Sequence, residues 1–161
     1  MNRAGLVLLS MCCIFLSACA AGEGNGQAEE NAMQNGSYEI EELARGSQSR
    51  ESAERMMVVR DADTFERIWD LSDQRGERPA VDFDQSMVVA IFMGERRTGG
   101  YSVQVDEVRQ DGDDIMVQVI MEEPGEGCMT TQAITRPFQL VLLPQLDGEV
   151  RFQTQQQALD C

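Results

Sequence analysis

The chain has 161 residues, 13 basic against 28 acidic side chains, a net charge of −15 at pH 7, and neither histidine nor lysine. A charge of that sign excludes nucleic acid and anionic membrane surfaces as partners, since both require basic patches. Without histidine there is no Ser-His-Asp or Cys-His machinery and no usual zinc site; without lysine there is no Ser-Lys dyad or Schiff base. Carboxylates remain available for acid-base work, but no pair of them sits in a recognisable motif, so the reading is of a protein that is not an enzyme, with no cofactor and no metal.

Arg3 opens an apolar stretch from Ala4 to Phe15, and small residues follow in the order Leu16-Ser17-Ala18-Cys19. This is the layout of a secretory signal peptide, too short for the roughly 20 apolar residues of a transmembrane helix. Its last four residues resemble the lipobox of bacterial lipoproteins. The resemblance implies that residues 1–18 are removed, that Cys19 carries a diacylglyceryl group, and that Ala20, in place of an aspartate, sends the protein to the outer membrane. More than one acyl chain on Cys19 suffices for stable anchoring. Loss of Arg3 leaves 12 basic against 28 acidic residues.

Cys12 and Cys13 leave with the signal, so Cys128 and Cys161 are the thiols left over. In an oxidising compartment they are expected to form a disulfide, with two free thiols or a redox role as the alternative. Residues 19–37, rich in Gly, Ala, Asn, Gln and Glu, have almost nothing to bury and read as a disordered acidic tether.

Residues 38–161 read as one domain, mainly β with one helix (α+β): an antiparallel sandwich or open barrel of about seven short strands. Tyr38 to Leu43 and Arg55 to Arg60 are the first two strands. Asp63-Thr64-Phe65-Glu66 matches a capping box, with Asp63 as N-cap. Phe65, Ile68 and Trp69 then give an apolar stripe for a helix ending near Gln74-Arg75-Gly76, with Trp69 a core anchor. Met87 to Met93 is apolar without alternation, which suits a strand buried on both faces. Tyr101, Val103 and Val105 alternate with polar residues, Asp111-Gly112 signals a hairpin turn, and the return strand puts Ile115, Val117, Val119 and Met121 on one face. The loop Glu122–Gly127 is expected to break that strand. Phe138, Leu140 and Leu142 mark another, and Asp147-Gly148 turns into a last strand with Val150 and Phe152. Most of the ten methionines read as core filler.

Two segments carry the functional reading. In Gly94-Glu95-Arg96-Arg97-Thr98-Gly99-Gly100-Tyr101, Gly99-Gly100 allow positive φ and close backbone approach, and Arg96 and Arg97 are two cations in a strongly acidic chain. In Thr130–Phe138, Pro137 fixes how the chain enters the next strand. Loops on a rigid sheet are where recognition sits, so Arg96, Arg97, Thr98, Gly99, Gly100, Tyr101, Arg136, Pro137 and Phe138 are the candidate partner-binding residues.

The run from Val81-Asp82-Phe83 through Gly94 and Thr98-Gly99-Gly100-Tyr101 to Arg136-Pro137-Phe138 resembles the PrcB C-terminal domain family over roughly residues 55–153. That family occurs in bacterial envelope lipoproteins and is named for a non-catalytic subunit of a surface protease complex. The resemblance implies a small β domain that binds an envelope protein, a serine protease among the options, as an accessory subunit. Arg97-Thr98-Gly99-Gly100-Tyr101 and Arg136-Pro137-Phe138 also echo the binding loops of chagasin-like peptidase inhibitors, without their Asn-Pro and with Phe138 where those have Trp. A purely structural envelope lipoprotein is the third reading.

Overall fold

The computed structural model of the chain describes residues 33–34 and 37–161. The signal segment, Cys19 and most of the expected tether lie outside the described residues. The elements run β1 (Met33–Gln34), β2 (Ser37–Tyr38), β3 (Glu41–Gly46), β4 (Arg55–Val59), α1 (Ala62–Leu71), β5 (Ser86–Phe92), β6 (Ser102–Asp111), β7 (Asp114–Pro124), β8 (Phe138–Pro144) and β9 (Val150–Leu159). They form two sheets, one of order β1-β2-β6-β7-β9 and one of order β3-β8-β5-β4. The fold is mostly β with one helix and roughly sandwich-like; it is not a closed barrel.

Three layers follow from which side chains each strand sends where. On β5, Met87, Val89 and Ile91 join Val103, Val105, Val108, Ile115, Val117 and Val119 in a core between the sheets. The intervening Val88, Ala90 and Phe92 meet Phe65, Ile68 and Trp69 of α1 in a second core. Period-two alternation therefore feeds two different apolar layers, and both phases must be hydrophobic. β8 repeats the device: Val141 and Leu143 face the first core, Phe138 and Leu140 the second. Phe138 stacks on Phe92 with ring centroids 6.0 Å apart.

The helix starts two residues earlier than the capping box predicts. Asp61 is the N-cap, and the Thr64 N–H donates to its Oδ1 at 2.8 Å. This bond holds the Asp61 carboxyl below the usual carboxylate range. The helix also ends earlier, at Leu71, where the Ser72 hydroxyl donates to the Trp69 carbonyl at 2.7 Å. The stripe itself is as expected, with Phe65, Ile68 and Trp69 buried; Trp69, 9 % exposed, is a core anchor.

Three other expectations are corrected. The stretch Tyr38 to Leu43 is two strands, one in each sheet, because the chain crosses between layers at Glu39-Ile40. In the five-stranded sheet β1 pairs with β2 and β2 with β6, and the Tyr38 hydroxyl donates to Gln110 Oε1 at 3.0 Å. Glu122–Pro124 does not break β7 but extends it, because β6 pairs as far as Glu122 and β9 as far as Pro124. Asp147-Gly148 is not a hairpin turn: β8 and β9 lie in different sheets, and β9 returns parallel to β7. Parallel neighbours require a long crossover, and β8 lies within it.

The expected β6–β7 hairpin forms, its turn at Gly112–Asp113, one residue on from Asp111-Gly112, and β6 carries a register shift between Val105 and Glu107. That bulge lets both Val105 and Val108 face the core, a change of phase invisible in the alternation alone. It leaves the Val105 N–H without a strand partner, and buried Gln139 accepts from it through Oε1 at 2.6 Å while donating to Glu42 Oε2 at 2.7 Å. Cys128 and Cys161 stand at disulfide distance, with Cα atoms 5.3 Å apart.

Candidate functional site

The strands of the five-stranded sheet reach 10 and 11 residues, against 5 to 7 in the other. At the end where β5 finishes and β6 begins, the inward side chains Met93, Val103 and Met121 are still buried between the sheets. The segments 94–101 and 128–137 meet there. Arg96 and Thr135 form an isolated bridge, Arg96 N–H donating to the Thr135 carbonyl at 2.8 Å and Thr135 N–H to the Arg96 carbonyl at 2.9 Å. The Gly99 N–H donates to the Thr131 carbonyl at 3.0 Å, and the Thr135 hydroxyl to the Thr98 carbonyl at 2.8 Å. The two segments thus brace each other as a short extra ladder.

Glycine is required at two places in this brace. Gly94 has φ 73°, and a Cβ there would stand 2.7 Å from the Glu54 nitrogen and 2.8 Å from the Ala53 carbonyl carbon. Gly100, at φ 92°, lies against Pro124 and Thr130. Neither position admits another L-residue without strain. Gly99 has no positive φ; its role is close approach, since a Cβ there would collide with the Thr131 hydroxyl.

A cleft of 300 Å³ opens beside the brace, lined by Met93, Arg96, Tyr101, Met121, Glu122, Glu123 and Gln156. Tyr101 is half-buried against the inter-sheet core, and Arg96 Cζ lies 5.8 Å from its ring centroid, within cation–π range. Arg96 also reaches Glu54 at 3.3 Å. Ser102 bonds Glu122 at the rim. The cleft combines an apolar floor of two methionines and a tyrosine with charged walls of both signs, a composition suited to one apolar side chain bordered by polar contacts.

The nine candidate partner-binding residues do not share one surface. Arg97 is exposed and has no ion-pair partner among the described residues. Arg96, Thr98, Gly99 and Tyr101 are half-buried, and Gly100 is exposed. Arg136 is turned to Glu95, at 2.6 Å, and its N–H bonds the Ser47 carbonyl at 2.9 Å. Pro137 and Phe138 are buried, so as a contact surface they are corrected to core: Phe138 is the first residue of β8 and fills the layer under α1.

Sequence reasoning passed over two residues the structure brings forward. Met129 is 101 % exposed and Ile134 is 53 % exposed, the large apolar side chains that water sees most. Ile134 adjoins the bridged Thr135, across from Arg97, and Met129 adjoins Thr130 beneath Gly100. A large apolar residue isolated in a Gly-Thr-Gln run, outside any strand or helix period, was the available signal. Among the described residues no group of three His, Cys, Asp or Glu side chains could hold a metal ion, and no recognisable active site is assembled.

The fold is a helix-backed β sandwich with two loops bracing each other at one end. The family described as PrcB C-terminal matches residues 87–144 of the chain. The match spans β5 to β8, including both loops, and stops short of α1 and β9; it is narrower than residues 55–153. No curated protein and no solved structure matches the chain.

Proposed function

We propose that the chain is a lipoprotein of the bacterial envelope, anchored through Cys19 at the outer membrane, whose domain serves as a non-catalytic accessory subunit of a protease complex. The observation that carries the binding role is the pair of braced loops: Arg97, with no ion-pair partner among the described residues, lies on one, and the exposed apolar side chains Ile134 and Met129 lie on the other. Solvent-exposed apolar residues on braced loops, rimmed by charge, are the makings of a protein contact. The match of residues 87–144 to the PrcB C-terminal family supports the protease complex as the setting. The chagasin-like alternative loses its second loop, because Pro137 and Phe138 are buried.

The test is capture from a native envelope extract, using as bait the tagged full-length Cys19→Ser chain, which the anchoring proposal expects in the soluble fraction. The eluate should hold an active peptidase. The triple variant Arg97→Ala, Met129→Ser, Ile134→Ser should keep its melting temperature and lose that capture at least tenfold. A peptidase silent until the chain is removed would establish inhibition instead, and capture undiminished in the triple variant would remove the loops from the interface.

A further inference from the structure

The edges of the two sheets are protected unequally. β4 is five residues long and begins with Arg55, ion-paired to Glu51. β3 carries a register shift between Glu42 and Ala44, and its charges Glu41, Glu42 and Arg45. β6, which β2 pairs at Arg109, carries a bulge in its register with β7, and Gln139 occupies its Val105 N–H. These are the devices by which edge strands avoid pairing with foreign chains.

β9 has none of them. It runs in unbroken register with β7 over ten pairs, from Ile115↔Val150 to Pro124↔Leu159. It contains no proline or bulge, and its one charge, Arg151, is held by Asp114 at 2.9 Å. From Phe152 to Leu159 it is uncharged, in a chain where a quarter of the residues are charged. No residue of β9 is buried, so little core packing holds it. The ladder to β7 holds it, and the Cys128–Cys161 pair pins its far end. The result is a regular, fixed edge that no other strand pairs among the described residues, with Leu159 at its end packed against Gly125 and Cys128.

We propose that this edge is a second docking site, which takes an extended basic segment of a partner protein as the sixth strand of the sheet. Backbone ladder bonds supply the affinity in such strand addition. The sign of the partner's charge follows from the surroundings: Asp147 and Glu149 precede β9, Asp160 follows it, and Glu122 and Glu123 lie on the strand beside it. The same acidity, with −15 on the whole chain, opposes a second copy as the occupant. The site includes none of Arg97, Met129 and Ile134, although Gln156, Glu122 and Glu123 also line the cleft beside the brace.

The probe is a fluorescein-labelled ten-residue peptide of alternating lysine and threonine, titrated into the full-length protein at low salt, with an alternating glutamate–threonine peptide as control. The basic peptide should bind saturably, slow hydrogen exchange at β9, and bind equally well after Arg97→Glu. Adjacent strand residues send their N–H groups to opposite sides, so Gln155→Pro and Gln156→Pro part the roles. One removes a bond to β7 and lowers the melting temperature; the other removes an outward donor, melts normally, and should weaken peptide binding at least tenfold. Should both variants melt early, the exchange protection in the unaltered protein decides. Unchanged binding in the normally melting variant, equal binding of the acidic peptide, or β9 protection that rises with protein concentration alone would each overturn the proposal.

Discussion

In β5 the six residues Met87–Phe92 are wholly buried, and alternate side chains enter two different cores. In β9 none of the ten residues is buried, and the middle of the strand is Gln-Thr-Gln-Gln-Gln. Both strands are regular and fully paired along one side at least, yet β5 is held by apolar area removed from water and β9 by backbone bonds and a covalent tie. The first kind of strand is fixed by what its side chains are, the second by where the chain has been led. It follows that damage to the two should differ in size and in reach.

The sharpest way to break the contrast is Phe138→Ala, which hollows the layer that β5 and β8 share with α1. The ring is buried and stacked on Phe92, and such truncations cost about 3–5 kcal/mol. Denaturant unfolding should show a loss of that order and a loss of protection throughout both sheets. Cys161→Ser should cost less, at most about 3–4 kcal/mol from the loop entropy of the 33-residue span. Its effect should be local, with faster hydrogen exchange along β9 and little change at β5. Equal loss of protection at β5 would show that the two strands are not held separately.

The smallest expected effect concerns neither strand but the helix that roofs β5. The Thr64 N–H holds the Asp61 carboxyl below its usual range, so the ionised cap stabilises the fold above the unfolded aspartate pKa. That contribution fades as pH falls through the lower, folded value. Asp61→Ala should lower the melting temperature slightly at neutral pH, and the difference from the unaltered protein should shrink in acid. A difference independent of pH would mean that the cap's charge is irrelevant to α1.

The candidate site was legible as two segments but not as a surface. Gly94, Gly99 and Gly100 stood out because small residues cluster where backbones approach, and Arg97 because cations are scarce in this chain. Arg136, Pro137 and Phe138 belong to the same segment by sequence, yet the chain dives into β8 there, and two of the three are core. Met129 and Ile134 carry no periodic signal, so their exposure became visible only once the loops were braced. The bulge in β6 and the N-cap at Asp61 escaped for a related reason. Each is a one- or two-residue choice between local alternatives that packing arbitrates.

What the sequence determined by itself was the part written in hydrophobic phase: a helix with one apolar stripe, a strand apolar at every position, a hairpin whose inward residues alternate. Side-chain transfer from water is a local property, and its period reveals the element. Tertiary structure alone decided that Tyr38 and Leu43 serve different sheets, that Asp147-Gly148 leads across the sandwich, and that a glutamine-rich tail becomes a strand. Those outcomes depend on which backbone groups find partners, and backbone N–H and C=O groups are the same in every residue but proline.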